Sequence, residues 1–137
     1  MTQVPKRIMV DMSATLIHHG HVRLLKAAKA LGHVVVALTT DEEIRAKKGY
    51  EPELSYAARA EVLLAMRDVD EVVPSPWLLD EAFLNLHHID VLVHGHDNSN
   101  PIASERLHLL PRTEGISSTL LRARVLKAVS QKMETNI

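Results

Sequence analysis

The residues best equipped for chemistry stand in two short runs, one near each end of the chain. They are His18-His19-Gly20-His21 and Arg112-Thr113-Glu114-Gly115-Ile116-Ser117-Ser118-Thr119. The first run lies between an apolar segment and a segment with helical spacing. Gly20 lets the backbone come close to a ligand. Free N–H groups at a helix start face an anion. His18 and His21 bracket that point, and each can donate to phosphate oxygens. Fixed donors of this kind suit a reaction that moves charge onto phosphoryl oxygens and a pyrophosphate leaving group. A histidine-rich surface turn and a zinc site are the competing readings. Zinc is disfavoured because three histidines this close in sequence do not converge easily, and there is no HExxH.

In the second run, Arg112 offers a planar fork for two phosphate oxygens. Thr113, Ser117, Ser118 and Thr119 add hydroxyls, and Gly115 permits a tight turn. Ser117 and Ser118 stand at the start of an apolar helical segment, where N–H groups again face outward. Helix capping alone is the plainer reading of such a cluster. If both helix starts face one crevice, they make a triphosphate site without a basic composition.

The elements that must position these runs alternate along the chain. Strands are expected at Arg7–Asp11, His33–Thr39, Glu71–Pro74, Asp90–His94 and Arg106–Leu110. His21–Leu31 places apolar residues at helical spacing and ends at Gly32. Further helices are expected at Ser55–Arg67, Leu78–His87 and Ser118–Lys132, and the charged stretch Asp41–Leu54 reads as a loop. This alternation predicts an α/β fold: a Rossmann-like parallel sheet of five strands with helices on both faces, in one domain spanning residues 1–137. Ligands of such sheets sit at the carboxyl ends of the strands. The odd polar residues of this chain fall there, at 13–21, 39–48, 94–98 and 111–119.

Bulk composition narrows the function. The chain has 137 residues, 46% hydrophobic and 24% charged, with a net charge of -1. Nothing global attracts nucleic acid or an anionic membrane, so a phosphate site must be local. There is no cysteine, which excludes thiolate chemistry and disulfides. No signal peptide or membrane span is recognisable, and a cytoplasmic setting is expected.

His-x-Gly-His directly after a first strand, followed far downstream by Arg-Thr-Glu-Gly-Ile-Ser-Ser-Thr, resembles the cytidylyltransferase family of nucleotidyltransferases. The likeness runs from about Ile8 to Val129. It is similar both to the glycerol-3-phosphate cytidylyltransferases and to the cytidylyltransferase domains linked to phosphonate biosynthesis. The resemblance implies transfer of CMP from CTP to the phosphate or phosphonate of a small molecule, with magnesium as cofactor and a homodimer as the assembly. It implies catalytic roles for His18, His21, Lys47 and Arg112. It places Arg45 and Lys48 in a basic loop over the triphosphate, Lys48 being interchangeable with Lys47. Arg59 matches an arginine that reaches the active site. Ser13, Ala14 and Gly20 in the first loop, Gly95, Asp97, and the stretch Thr113, Gly115, Ile116, Ser117, Ser118 and Thr119 complete the nucleotide contacts. Gly95 and Ile116 would meet the base and ribose. Trp77 either walls the acceptor pocket or covers the core edge.

Two acids usual in the family are missing. Thr15 and His96 stand in their places, which leaves Asp97 as the carboxylate for magnesium; His94 and His96 alone make no metal site. An adenylyltransferase, or a nucleotide-binding module without catalysis, are the rival readings.

Overall fold

Buried β-branched runs set the centre of the molecule. In the computed structural model, which describes residues 6–135, β1 (Arg7–Met12) and β2 (His33–Thr39) are almost wholly buried. Strands buried on both faces read as continuous apolar runs, as Val34–Leu38 does. With β3 (Glu71–Ser75), β4 (Val91–Gly95) and β5 (Leu107–Leu110) they form one five-stranded sheet in the order β3-β2-β1-β4-β5. Every pairing is parallel. The expected Rossmann-like architecture is therefore present.

Helices cover both faces. On one, Leu25 and Ala28 of α1 (His19–Lys29) and Leu63 of α3 (Tyr56–Leu64) pack on Ile8, Val10, Val34 and Val36. On the other, Leu84 of α4 (Glu81–Leu86), with Leu79 and Ile89, packs on Met9, Val35, Ala37 and Leu92. A short 3-10 turn, Ser104–Arg106, leads into β5, and α5 (Ser118–Thr135) closes the described chain. Among the described residues no helix is long and apolar enough to cross a membrane.

The stretch expected as a loop after β2 is instead helix α2 (Asp41–Lys48). Thr40 caps its start, its hydroxyl accepting from Glu43 N–H at 3.3 Å. Acids fill the first turn and Arg45, Lys47 and Lys48 the last, which complements the helix dipole. Gly49 ends it in the left-handed region at φ 77°. α1 also begins two residues earlier than its periodicity suggests, because His18 is its cap.

The strand order reverses between β1 and β4. In an open parallel sheet a ligand crevice opens at such a point, beyond the carboxyl ends of the strands. Both signature segments are delivered there.

Candidate active site

The two runs meet. His18, Gly20 and His21 line a cleft of about 520 Å³ together with Arg112, Thr113, Ile116, Ser117, Ser118 and Thr119. Ser118 Oγ donates to Leu16 O at 2.9 Å, which ties the start of α5 to the first loop across the sequence. Leu120 N–H donates to Ser117 Oγ at 3.0 Å, so Ser117 also caps its helix. Ser117 both caps the helix and lines the cleft.

The first histidine run is a capping box made of imidazoles. Gly20 N–H donates to His18 Nδ1 at 3.0 Å, and His18 N–H donates to His21 Nδ1 at 3.2 Å. Each Nδ1 is thus an acceptor, so each ring carries its proton on Nε2. Gly20 is required by this arrangement. A Cβ there would stand 2.8 Å from the His18 ring and 3.4 Å from Ile116. The glycine makes room for the His18 ring.

Both rings titrate low. Burial, then His19 and Arg112, hold His18 below the ordinary imidazole value. Burial, then His18, pushes His21 down to about 4. Both are neutral N–H donors at neutral pH, as the cap bonds demand.

His21 therefore links folding to acid. The unfolded chain protonates it near 6.5 and the folded chain only near 4, so stability is lost as pH falls through that window. The loss reaches about 3 kcal/mol by the lower end. Urea unfolding of the wild type should weaken more between pH 7 and pH 4 than that of His21→Asn, and equal losses would remove the buried neutral imidazole.

The basic residues after β2 divide. Lys48 lines the cleft, with Nζ 5.5 Å from the centre of the Trp77 ring. Lys47 is exposed and outside the lining, and Arg45 pairs with Glu51 at 2.5 Å. Helix geometry explains the split, because neighbouring residues on α2 point about 100° apart. Trp77 lines both this cleft and the smaller cavity beside it.

Arg59 is neither a surface arginine nor part of the cleft lining. It is fully buried. Nη1 donates to Ser13 O at 2.7 Å and Thr39 O at 2.9 Å, Nε donates to Leu54 O at 3.1 Å, and Nη2 pairs with Asp41 Oδ1 at 2.6 Å. Burial pushes the Asp41 carboxyl up, but the Tyr56 N–H and Arg59 outweigh it and hold it low. Arg59 thus fixes the ends of β1 and β2 beneath the first loop. Ser13 reaches the cleft, whereas Ala14 is buried at φ 47° and Gly115 forms an exposed turn at φ 77°.

Gly95 and Asp97 line the cleft, and His96 is exposed outside its lining. The Asp97 side chain is 60% exposed, with Arg112 Nη1 3.9 Å from its Oδ2. No three histidine or acidic side chains converge for a metal among the described residues. One open carboxylate fits magnesium held mainly by triphosphate oxygens and water.

Several side-chain pairings in the cleft carry no signal in the sequence. Arg122 of α5 reaches in: Nη2 donates to Thr15 Oγ1 at 2.6 Å, and the guanidinium pairs with Glu53. The Thr15 hydroxyl is thus an arginine partner. Asp11 and His94 form a second pair, Nδ1 to Oδ1 at 2.5 Å. Burial lowers His94, but the hydrogen bond and charge of Asp11, then Asp97, outweigh it and hold the ring above its ordinary value.

Residues 13–124 match the family model described as Cytidylyltransferase-like. The chain is 37% identical to glycerol-3-phosphate cytidylyltransferase of Bacillus subtilis (strain 168), over 88% of this chain and 97% of that protein. It is 33% identical to ethanolamine-phosphate cytidylyltransferase of Arabidopsis thaliana, covering 93% of this chain but 34% of that one, so it spans about a third of this relative's length. A solved structure, the lipopolysaccharide core biosynthesis protein from Thermoplasma volcanium GSS1, shares the fold at TM-score 0.67 and 18% identity, over 80% of this chain and 98% of its own. Signature segments joined in one cleft, on the expected sheet and within a matching family model, establish that this chain belongs to the cytidylyltransferase-like family of nucleotidyltransferases.

Proposed function

We propose that the protein transfers CMP from CTP to the phosphate or phosphonate oxygen of a small molecule and releases pyrophosphate. The observation that carries this reading is the convergence of His18, His21 and the 112–119 segment on one cleft. The acceptor oxygen is anionic near neutral pH and needs no general base. It attacks the α-phosphorus in line: an oxygen–phosphorus bond forms, the bond to the bridging β-oxygen breaks, and pyrophosphate leaves with the electron pair. Catalysis is then positioning and charge stabilisation. The Nε2–H groups of His18 and His21, the Lys48 ammonium and the Arg112 fork meet the α- and β-phosphate charge. Lys48 takes this role in preference to Lys47, since it is the one on the cleft wall. Ser117, Ser118, Thr119 and the N–H groups of two helix starts meet the rest.

Magnesium, when bound beside Asp97, would neutralise triphosphate charge. A homodimer belongs to the same reading, and Val125, Leu126, Val129 and Met133, exposed along α5, offer an apolar surface for it.

Pyrophosphate release should be measured with each nucleoside triphosphate against glycerol 3-phosphate, ethanolamine phosphate and a hydroxyalkylphosphonate. Turnover with CTP and at least one acceptor is expected. Turnover with ATP alone would make the protein an adenylyltransferase. CTP binding without turnover on any acceptor would make it a nucleotide-binding module.

A further inference from the structure

Residues 49–55 join α2 to α3 at the rim of the main cleft, which Lys48 and Tyr50 line. Both ends of this connection are fixed: Gly49 ends α2, and Ser55 caps α3. Glu51 turns back to Arg45 of α2. The rest of the middle is fastened across the cleft. Among the described residues, the polar and ring contacts that Tyr50 and Glu53 make with other elements all go to Arg122 of α5.

A guanidinium has five N–H donors in one plane. In Arg122, Nε–H and one Nη2–H go to the two oxygens of Glu53, the Nη2 bond being 3.0 Å long. The other Nη2–H goes to Thr15 Oγ1 at 2.6 Å. Tyr50 covers a face of the plane, with its ring centre 5.0 Å from Cζ. The two Nη1 hydrogens make no hydrogen bond among the described residues. A phosphate is held best by a fork, two adjacent N–H groups along one edge. Arg122 has no edge to offer. Glu53 fills the Nε/Nη2 edge, and Thr15 takes the hydrogen that would complete the other.

Yet Arg122 lines the same cleft as His18, His21, Lys48 and Arg112. Its two partners differ in how readily it can leave them. Thr15 is 4% exposed, so its hydroxyl oxygen would be stranded. The Glu53 side chain is 34% exposed, so its carboxylate would return to water. The Arg122 hydrogen bond holds the Glu53 carboxyl below its ordinary value, against burial, and the pair is fully charged at neutral pH. An ion pair this open contributes little on its own. A triphosphate brings several negative charges against the single charge of Glu53.

We propose that Glu53 competes with the triphosphate for Arg122: the carboxylate clasps the guanidinium until an incoming triphosphate takes the Nε/Nη2 fork from it, which unfastens residues 50–53 from α5. This rests on the triphosphate site proposed above. Thr15 keeps its bond and holds the guanidinium at the cleft wall through the exchange. Departure of pyrophosphate returns the fork to Glu53. The clasp therefore lowers the affinity for the whole triphosphate group, whatever base it carries.

The test is calorimetric binding of magnesium–CTP, and separately of inorganic tripolyphosphate, to the whole chain. Glu53→Gln keeps the shape and removes the charge. It should bind both ligands roughly 5-fold more tightly than wild type, the effect of losing one partly exposed ion pair. Arg122→Gln should bind both more weakly. Glu53→Gln added to Arg122→Gln should change binding no further, because nothing is left to compete for. The Arg122 Nε–H signal in NMR spectra, identified by its absence in Arg122→Gln, should shift when tripolyphosphate is added to wild type. Unchanged or weaker binding by Glu53→Gln overturns the proposal. So does an equal gain in the Arg122→Gln background, which would be an effect of net charge alone. A wild type that binds tripolyphosphate but not CTP removes the cytidylyltransfer reading, and the tripolyphosphate measurements still decide the clasp. A wild type that binds neither overturns both.

Discussion

His21→Asn is expected to lower kcat by about 10²–10³-fold while leaving the Kd for CTP within a few-fold, which is the pattern left when a transition-state donor is lost. Asparagine is the informative replacement because His21 has two duties. Its Nδ1 accepts from His18 N–H at 3.2 Å and so holds the start of α1. Its Nε2–H is the donor assigned to the reacting phosphates. An asparagine oxygen can stand in for Nδ1 and keep the helix capped, but the side chain has nothing at the Nε2 position. His21→Ala removes both groups. Rapid-quench measurement of CMP transfer in both variants separates them: similar kcat losses, with stability lowered only in His21→Ala, assign catalysis to Nε2. Wild-type turnover in His21→Asn would leave the histidine a cap and nothing more.

The cap geometry also shows what sequence could and could not carry. The central strands were legible because burial on both faces makes an uninterrupted apolar run, as in His33–Thr39. Helix α2 was not, because periodicity needs several apolar residues and α2 buries only Ile44. Its remaining signals are end signals: Thr40 before three acids, and three basic residues before Gly49. Reading those as caps and dipole partners would have found the helix, and with it the separation of Lys48 from Lys47. The signature runs were legible as local patterns, and the crevice position of both followed from the strand–helix alternation. Asp11 with His94, and Thr15 with Arg122, were beyond reach for a different reason. Each pair joins residues 83 or 107 positions apart, and no local spacing marks either partner. Arg59 was legible as important but not in its role. It shares the inward face of α3 with Leu63, and a charged residue on an apolar stripe is a sign of a buried anchor.

That anchor carries the largest stability effect to be expected in the fold. Arg59→Leu should destabilise the chain by about 3–5 kcal/mol, since the groups that the buried guanidinium serves are left without their donor. Three carbonyls, of Ser13, Thr39 and Leu54, lose their donor at the same time, and the Asp41 carboxylate loses its partner. Leucine fills much of the space, so lost packing is not the main cause. Arg59→Lys distinguishes charge from geometry. A lysine keeps the charge for Asp41 but cannot span carbonyls on both strands and the loop as the planar fork does. Its loss should fall between wild type and Arg59→Leu. Urea unfolding followed by circular dichroism measures all three proteins. Because Ser13 and Thr39 terminate the strands under the crevice, CTP affinity should fall with stability in the leucine variant and recover in proportion in the lysine variant. A leucine variant as stable as wild type would mean that the guanidinium's bonds contribute no more than they cost to bury. A stable variant that nonetheless loses CTP would return Arg59 to the nucleotide contacts that its place in the family pattern implies.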